Sequence, residues 1–128
     1  MSAVPPEVEA LIADEPHVAH LGTSVDDAPH VAPLWYRYVD GIIEIATTGR
    51  SLNNIRENRR VALSIQSSKD GMPEWMVSIR GTATIIEEED ASARGTARIH
   101  RKYGIAEDAF PENVLVRIDV GSVFHQIY

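Results

Sequence analysis

The sequence predicts a mainly β fold with flanking helices, in which about six antiparallel strands close, or nearly close, into a barrel. Three observations carry this expectation. Short β-branched stretches alternate apolar with polar residues, most clearly where Val114, Val116, Ile118 and Val120 alternate against Arg117 and Asp119. The connections between them have hairpin chemistry, with Asp40-Gly41 the strongest two-residue turn signal. Helical periodicity is confined to short segments at the joints.

The elements follow in order. Residues 5–14 read as a short helix: Pro5 and Pro6 suit its first turn, Val8, Leu11 and Ile12 share an apolar face, and Glu15-Pro16 ends it. Residues 17–24 alternate as a strand, and Asp26-Asp27-Ala28-Pro29 is a turn. Residues 30–39 form a second strand, in which Pro33 removes a ladder N–H and so indicates a sheet edge, a bulge or a ligand-facing position. Residues 42–46 are the third strand. A helix over 52–58 with Ser51 as N-cap leads to a fourth strand at 61–66. Residues 67–73 read as a loop, and residues 74–87 as a long strand with a bulge or bend at Gly81. Residues 90–103 form a helix with acids at its start, Arg98, Arg101 and Lys102 near its end, and a small inner face at Ala93 and Ala97. After a loop over 105–113, residues 114–128 close the chain as the sixth strand. No repeat, linker or low-complexity tract interrupts this order, and 128 residues suit one domain over 1–128, or one subunit of an oligomer.

Composition excludes several function classes. The chain has 19 acidic and 12 basic residues, a net charge of -7, which argues against non-specific nucleic-acid binding. It has no cysteine, so disulfides, thiolate catalysis and Cys-ligated metals are ruled out, in keeping with a cytoplasmic protein. No window approaches ~20 apolar residues, and the first residues lack the pattern of a signal peptide, so no membrane association is expected.

The stretch from Ile42 to Arg60 holds the strongest functional signal. A β-branched strand gives way to Thr47, Thr48, Gly49, Arg50 and Ser51, then to a helix. Backbone N–H groups, hydroxyls, a helix start and a guanidinium fork together suit an anion such as a phosphate. Between Arg50 and Arg60 stand four arginines and one acid, a local reversal of sign. The alternative is a capped surface helix whose arginines face water.

Other candidates are weaker. His17 and His20 fall on opposite faces of a strand and are poor co-ligands, and His100 sits on a basic helix end, so no metal site is expected. Nucleophile-elbow, dinucleotide-binding and P-loop motifs are absent. Trp35 lies on the strand face opposite Tyr36 and Tyr38, so one face is core and the other a contact surface. Trp75 and Met76 open the long strand, where they suit an interface or the wall of a ring pocket.

Taken together, these stretches resemble the FMN-binding split-barrel superfamily, which includes the pyridoxamine 5'-phosphate oxidases and the F420-dependent reductases. H-V-A-P-L-W-Y at 30–36 resembles its V-x-P-x-W flavin strand, and D-G-I-I-E-I-A-T-T-G-R-S at 40–51 its strand and phosphate turn. N-N-I-R-E-N-R-R-V-A-L at 53–63, V-S-I-R-G-T-A at 77–83 and the terminal V-R-I-x-x-x-x-V pattern at 116–123 follow in the family's order. The resemblance implies a six-stranded antiparallel split barrel of Greek-key type that forms a homodimer with two flavin sites at the subunit interface. It implies that the backbone of Ala32, Pro33, Leu34 and Trp35 lies against the flavin ring. Thr47, Thr48, Arg50 and Ser51 would hold the phosphate of FMN, with Asn54 close by, and Trp75 and Met76 would help wall the site.

The departures are informative. Many relatives carry Lys at the position of Ser51, so Arg50 must do more. Oxidases proper carry Arg at the position of Ala32 and a C-terminal Arg and His set, whereas this chain ends V-F-H-Q-I-Y, which argues against a true pyridoxamine 5'-phosphate oxidase. The resemblance implies a flavin-dependent oxidoreductase of unknown substrate, in which the cofactor carries the hydride chemistry and no protein general base is named. The alternatives are an F420-dependent reductase, or a dimeric flavin- or small-ligand-binding module without turnover.

Overall fold

Hairpin chemistry sets the sheet. The computed structural model describes residues 3–128. Among these the chain forms α1 (Pro6–Ile12), β1 (Ala19–Val25), β2 (Ala28–Leu34), β3 (Tyr36–Val39), β4 (Ile42–Thr47), α2 (Gly49–Glu57), β5 (Arg60–Lys69), β6 (Met72–Ile85), α3 (Glu89–Lys102) and β7 (Val114–Ile127). Three tight turns, Asp26-Asp27, Asp40-Gly41 and Asp70-Gly71, hold both central residues at positive φ, the geometry whose twist matches paired antiparallel strands. The stretch 67–73, expected as a loop, is therefore mostly strand: Ser67 pairs with Trp75 and Lys69 with Met72 around the Asp70-Gly71 turn.

All pairings are antiparallel, in the order β2-β1-β5-β6-β7-β4-β3. This corrects the expectation of six strands in a closed or nearly closed barrel: there are seven in an open sheet. The stretch 30–39, read as one strand, breaks at Trp35 into β2 and β3, which stand at the two opposite ends of the sheet. The cause is local. The Tyr36 N–H donates to the Tyr103 hydroxyl at 3.2 Å instead of to a ladder partner, and the Trp35 ring stacks on Tyr103. Pro33 accordingly lies on an edge strand, where its missing N–H is harmless.

The core lies on one face of this curled sheet. Leu21, Ile43, Ile45, Ile65, Val77, Ile79 and Ile118 are fully buried there, with Val8 and Ile12 of α1 and Ile55 of α2 packed against them. Burying each of the larger side chains contributes about 1.5–3 kcal/mol. The Tyr36 hydroxyl donates to the Ile12 carbonyl at 2.7 Å and ties α1 down. The other face of β4 and β7 is covered by α3, which begins where the Glu88 carboxylate accepts from the Ala91 N–H. Its buried face is Ser92, Gly95, Thr96, Ile99 and His100, not Ala93 and Ala97 as expected: the helix is rotated so that residues at i, i+4 and i+8 point inward. At Gly81 the β6–β7 register shifts, as a bulge there required, and a Cβ would stand 2.4 Å from the Asp119 carbonyl oxygen.

Candidate functional site

The site grows from the break at Trp35. Between β2, the β4–α2 turn and the end of α3 lies a cavity of about 540 Å³. Ala32, Pro33, Leu34 and Trp35 form one wall. Because β2 is an edge strand, its outer backbone groups are not taken up by a further ladder. Trp35 is fixed by a ring cluster: Tyr103 stacks on it at 5.3 Å between centroids, and His100 and Phe110 meet it edge-on at 6.1 and 6.0 Å.

Thr47, Thr48, Arg50 and Ser51 form the opposite wall. The helix begins earlier than expected, with Thr48 as N-cap and Ser51 inside the first turn. The Thr48 side chain makes no capping hydrogen bond, so the first N–H groups of α2 lack an intramolecular cap. Gly49, at φ +64, takes the left-handed turn between the extended Thr48 and the helix, a conformation glycine adopts without steric cost. Arg50 is exposed and makes no hydrogen bond or ion pair among the described residues. A helix start, hydroxyls and an unengaged guanidinium thus converge on one end of the cavity, an arrangement suited to a phosphate.

Two of the other three arginines of the basic stretch do different work. Arg56 pairs with Glu87 at 2.8 Å, and Arg59 donates to the Ala83 carbonyl at 2.7 Å and to Thr84 at 2.8 Å. The local reversal of sign therefore overstated the anion site: Arg50 borders this cavity, and Arg56 and Arg59 bind α2 and its exit to β6.

Three expected site residues do not line the cavity. Asn54 turns away to donate from its side-chain amide to the Thr23 hydroxyl at 3.0 Å, bracing α2 on β1. Trp75 is buried and meets His17 edge-on at 5.0 Å. Met76, its half-buried neighbour, also lies outside the lining. The reason is register: Trp75 and Met76 pair with Ile127 and Gln126 at the far end of the β6–β7 ladder.

The structure adds residues that the sequence reading missed, chiefly His100, Phe110 and Asn113. His100 is 1% exposed, and its Nδ1 lies 3.1 Å from the Ala106 carbonyl and 3.2 Å from that of Glu107. Both neighbours are acceptors, so Nδ1 carries a proton, and in the neutral ring Nε2 is left as an acceptor. The signal was present in the helical spacing Ser92, Thr96, His100, which puts the ring on the buried face. Phe110 holds φ at +51, a strained backbone for an aromatic residue at the cavity rim. His17, behind the wall, has its pKa lowered, chiefly by burial, with Glu15 opposing the shift and Lys102 adding to it.

A family model described as pyridoxamine 5'-phosphate oxidase matches residues 4–126, and the chain belongs to that family. No curated protein matches the sequence. Solved structures with the same fold include an F420 reductase (21% identity, TM-score 0.76, covering 94% of this chain and 98% of that one). A FAD-binding protein from Mesorhizobium loti is similar at 18% identity and TM-score 0.71, over 95% and 94% of the two chains. A conserved hypothetical protein of Mycobacterium tuberculosis aligns at 23% identity and TM-score 0.79, over 97% and 85%. Among the described residues no helix is long and apolar enough to cross a membrane.

Proposed function

We propose that this protein is a flavin-dependent oxidoreductase that binds FMN in the cavity between β2 and the start of α2. The observation that supports this best is the joining, in one cavity, of an edge strand at Ala32–Trp35 with the uncapped helix start and unengaged guanidinium at Thr47–Ser51. The strand backbone would run along the ring, and Arg50, the two threonines and Ser51 would hold the phosphate. Bound flavin supplies hydride transfer, and the protein's part is to orient the ring and limit water. Trp35, locked by Tyr103, fixes one wall, and the apolar side chains of Leu34, Ile99 and Phe110 dry it. Ala32 where oxidases proper carry Arg, and the C-terminal V-F-H-Q-I-Y, favour a substrate other than pyridoxamine 5'-phosphate.

We further propose a homodimer, because Val31, Phe124 and Ile127 leave large apolar side chains exposed. The deazaflavin F420 is the second reading, favoured by the similarity to an F420 reductase. A binding module without turnover is the third, favoured by Ser51 where relatives have Lys. The test is direct: purified protein should be yellow, or take up added FMN at micromolar concentration with a shift in the flavin bands. Uptake of F420 alone assigns the second reading, and uptake of neither removes the first two. Light scattering should give twice the chain mass, and a stable micromolar monomer removes the dimer.

A further inference from the structure

On the far side of α3 from the cavity, the end of α1, β3 and the last turns of α3 enclose a recess of about 400 Å³. Arg37, Arg98, Arg101 and Lys102 line it, against one carboxylate at its rim, Asp14. Behind it lies Glu44, 5% exposed, which stands in register between Arg37 on β3 and Arg117 on β7. Its Oε1 accepts from Arg37 at 2.9 Å and its Oε2 from Arg117 at 3.2 Å. Arg98 reaches only to 3.8 Å from Oε2, beyond hydrogen-bond range. Arg101 pairs with Glu107 at the surface. Four cations (Arg37, Arg98, Arg101, Lys102) thus line the recess with Asp14, backed by Arg117 and by the carboxylates Glu44, Glu107 and, through the Tyr38 hydroxyl, Glu9, on a chain whose net charge is -7.

We propose that this recess binds a compact multivalent oxyanion, a polyphosphate group or a polycarboxylate. Arg98 is the central observation. Its side chain is about two-thirds buried, at 35% exposure, yet its guanidinium makes no hydrogen bond among the described residues. A planar fork held in a recess by one long ion pair to Glu44, without a hydrogen bond, still offers donors to two oxygens of one anionic group. Lys102 stands beside it, donating to the Tyr36 carbonyl at 3.1 Å with Nζ 3.9 Å from the centre of the Tyr36 ring. Its pKa is drawn down to about 8, chiefly by burial, with Asp14 opposing and Arg37 adding to the shift. Cations at the end of α3 also suit the helix dipole, and that alone places Arg101 and Lys102. It does not explain why the Arg98 fork, 3.8 Å from Glu44, is held in the recess without a hydrogen bond.

The test is calorimetric titration of the full chain carrying Arg50→Ala, which removes the guanidinium of the other anion-binding region. Sodium pyrophosphate and citrate are added separately at constant ionic strength, with chloride as control. Saturable binding of one anion per chain is expected, weakened about tenfold or more by Arg98→Gln. Binding of pyrophosphate alone assigns the phosphate source, and binding of citrate alone the carboxylate source. Arg101→Gln, on an exposed side chain, should weaken binding in the same direction and serves if Arg98→Gln does not fold. No saturable heat from either anion, or equal affinity in both variants, overturns the proposal.

Discussion

The Tyr103 hydroxyl donates to the His17 carbonyl at 2.5 Å while its ring lies stacked on Trp35, 26° from parallel. One residue just past α3 therefore holds the point at which β2 ends and β3 begins. The same oxygen accepts from the Tyr36 N–H, so Tyr103→Phe leaves two half-buried backbone groups unpaired but keeps the stack. Urea unfolding should show a loss of about 1–3 kcal/mol. An unchanged midpoint and slope would mean the break at Trp35 is held by packing alone.

Arg50→Ala should weaken FMN binding by more than tenfold, on the order of 1.5–3 kcal/mol, because a charge-assisted contact to phosphate is lost from the helix start. Fluorescence titration with FMN and with riboflavin separates the effect: the loss should appear for FMN and be small for riboflavin, which lacks the phosphate. Equal losses for both ligands would place the phosphate elsewhere.

Gly81→Ala should destabilise the chain by about 1–3 kcal/mol or more, since the new methyl meets the Asp119 backbone, which cannot move without breaking the β6–β7 ladder. Thermal unfolding reads this. A variant as stable as the parent would show that the bulge relaxes freely.

Glu44→Gln removes the negative centre from three guanidinium groups. Stripping a buried ion pair of one partner costs about 3–5 kcal/mol, and since these arginines remain about a third exposed to water, about 1–3 kcal/mol is expected here. Added salt should narrow the difference by screening the repulsion. A neutral substitution would mean that solvent already compensates the three charges.

Lys102 gives a pH signature. Its folded pKa, about 8, lies below its ordinary 10.5, so between these values the unfolded chain binds more protons than the folded one. The parent should therefore gain stability relative to Lys102→Met as pH rises from about 8 to 10.5, with the difference flat below 8. The tyrosines at 36 and 103, whose pKa values burial raises, remain in both chains and largely cancel. Denaturant unfolding at several pH values measures it, and a flat difference across the window refutes the assignment.

Local chemistry made much of this fold legible. Asp40-Gly41 announced its hairpin, Gly81 its bulge and Pro33 its edge, because each reflects the backbone geometry of its own residue. The succession of strand, turn and helix around Thr47 to Ser51 was legible for the same reason, although the N-cap is Thr48 and not Ser51. The split at Trp35 was not, since residues 30–39 read as unbroken strand and the partner that breaks it, Tyr103, is 67 residues from Tyr36. His100 and Phe110 reach the cavity only once α3 has settled on β4 and β7. Trp75 and Met76 lie outside this cavity because they stand at the far end of the β6–β7 ladder, a register that a motif does not convey.

The two outermost strands are consecutive in the chain and joined through a single residue, Trp35, with no hydrogen-bonded rungs between them. The seam that bounds the cavity is thus a covalent hinge and not a zipped margin. Its gape is set by the Tyr103 clamp at one peptide, and every rung of the sheet lies elsewhere. The width of that mouth therefore rests on one tyrosine and not on a ladder.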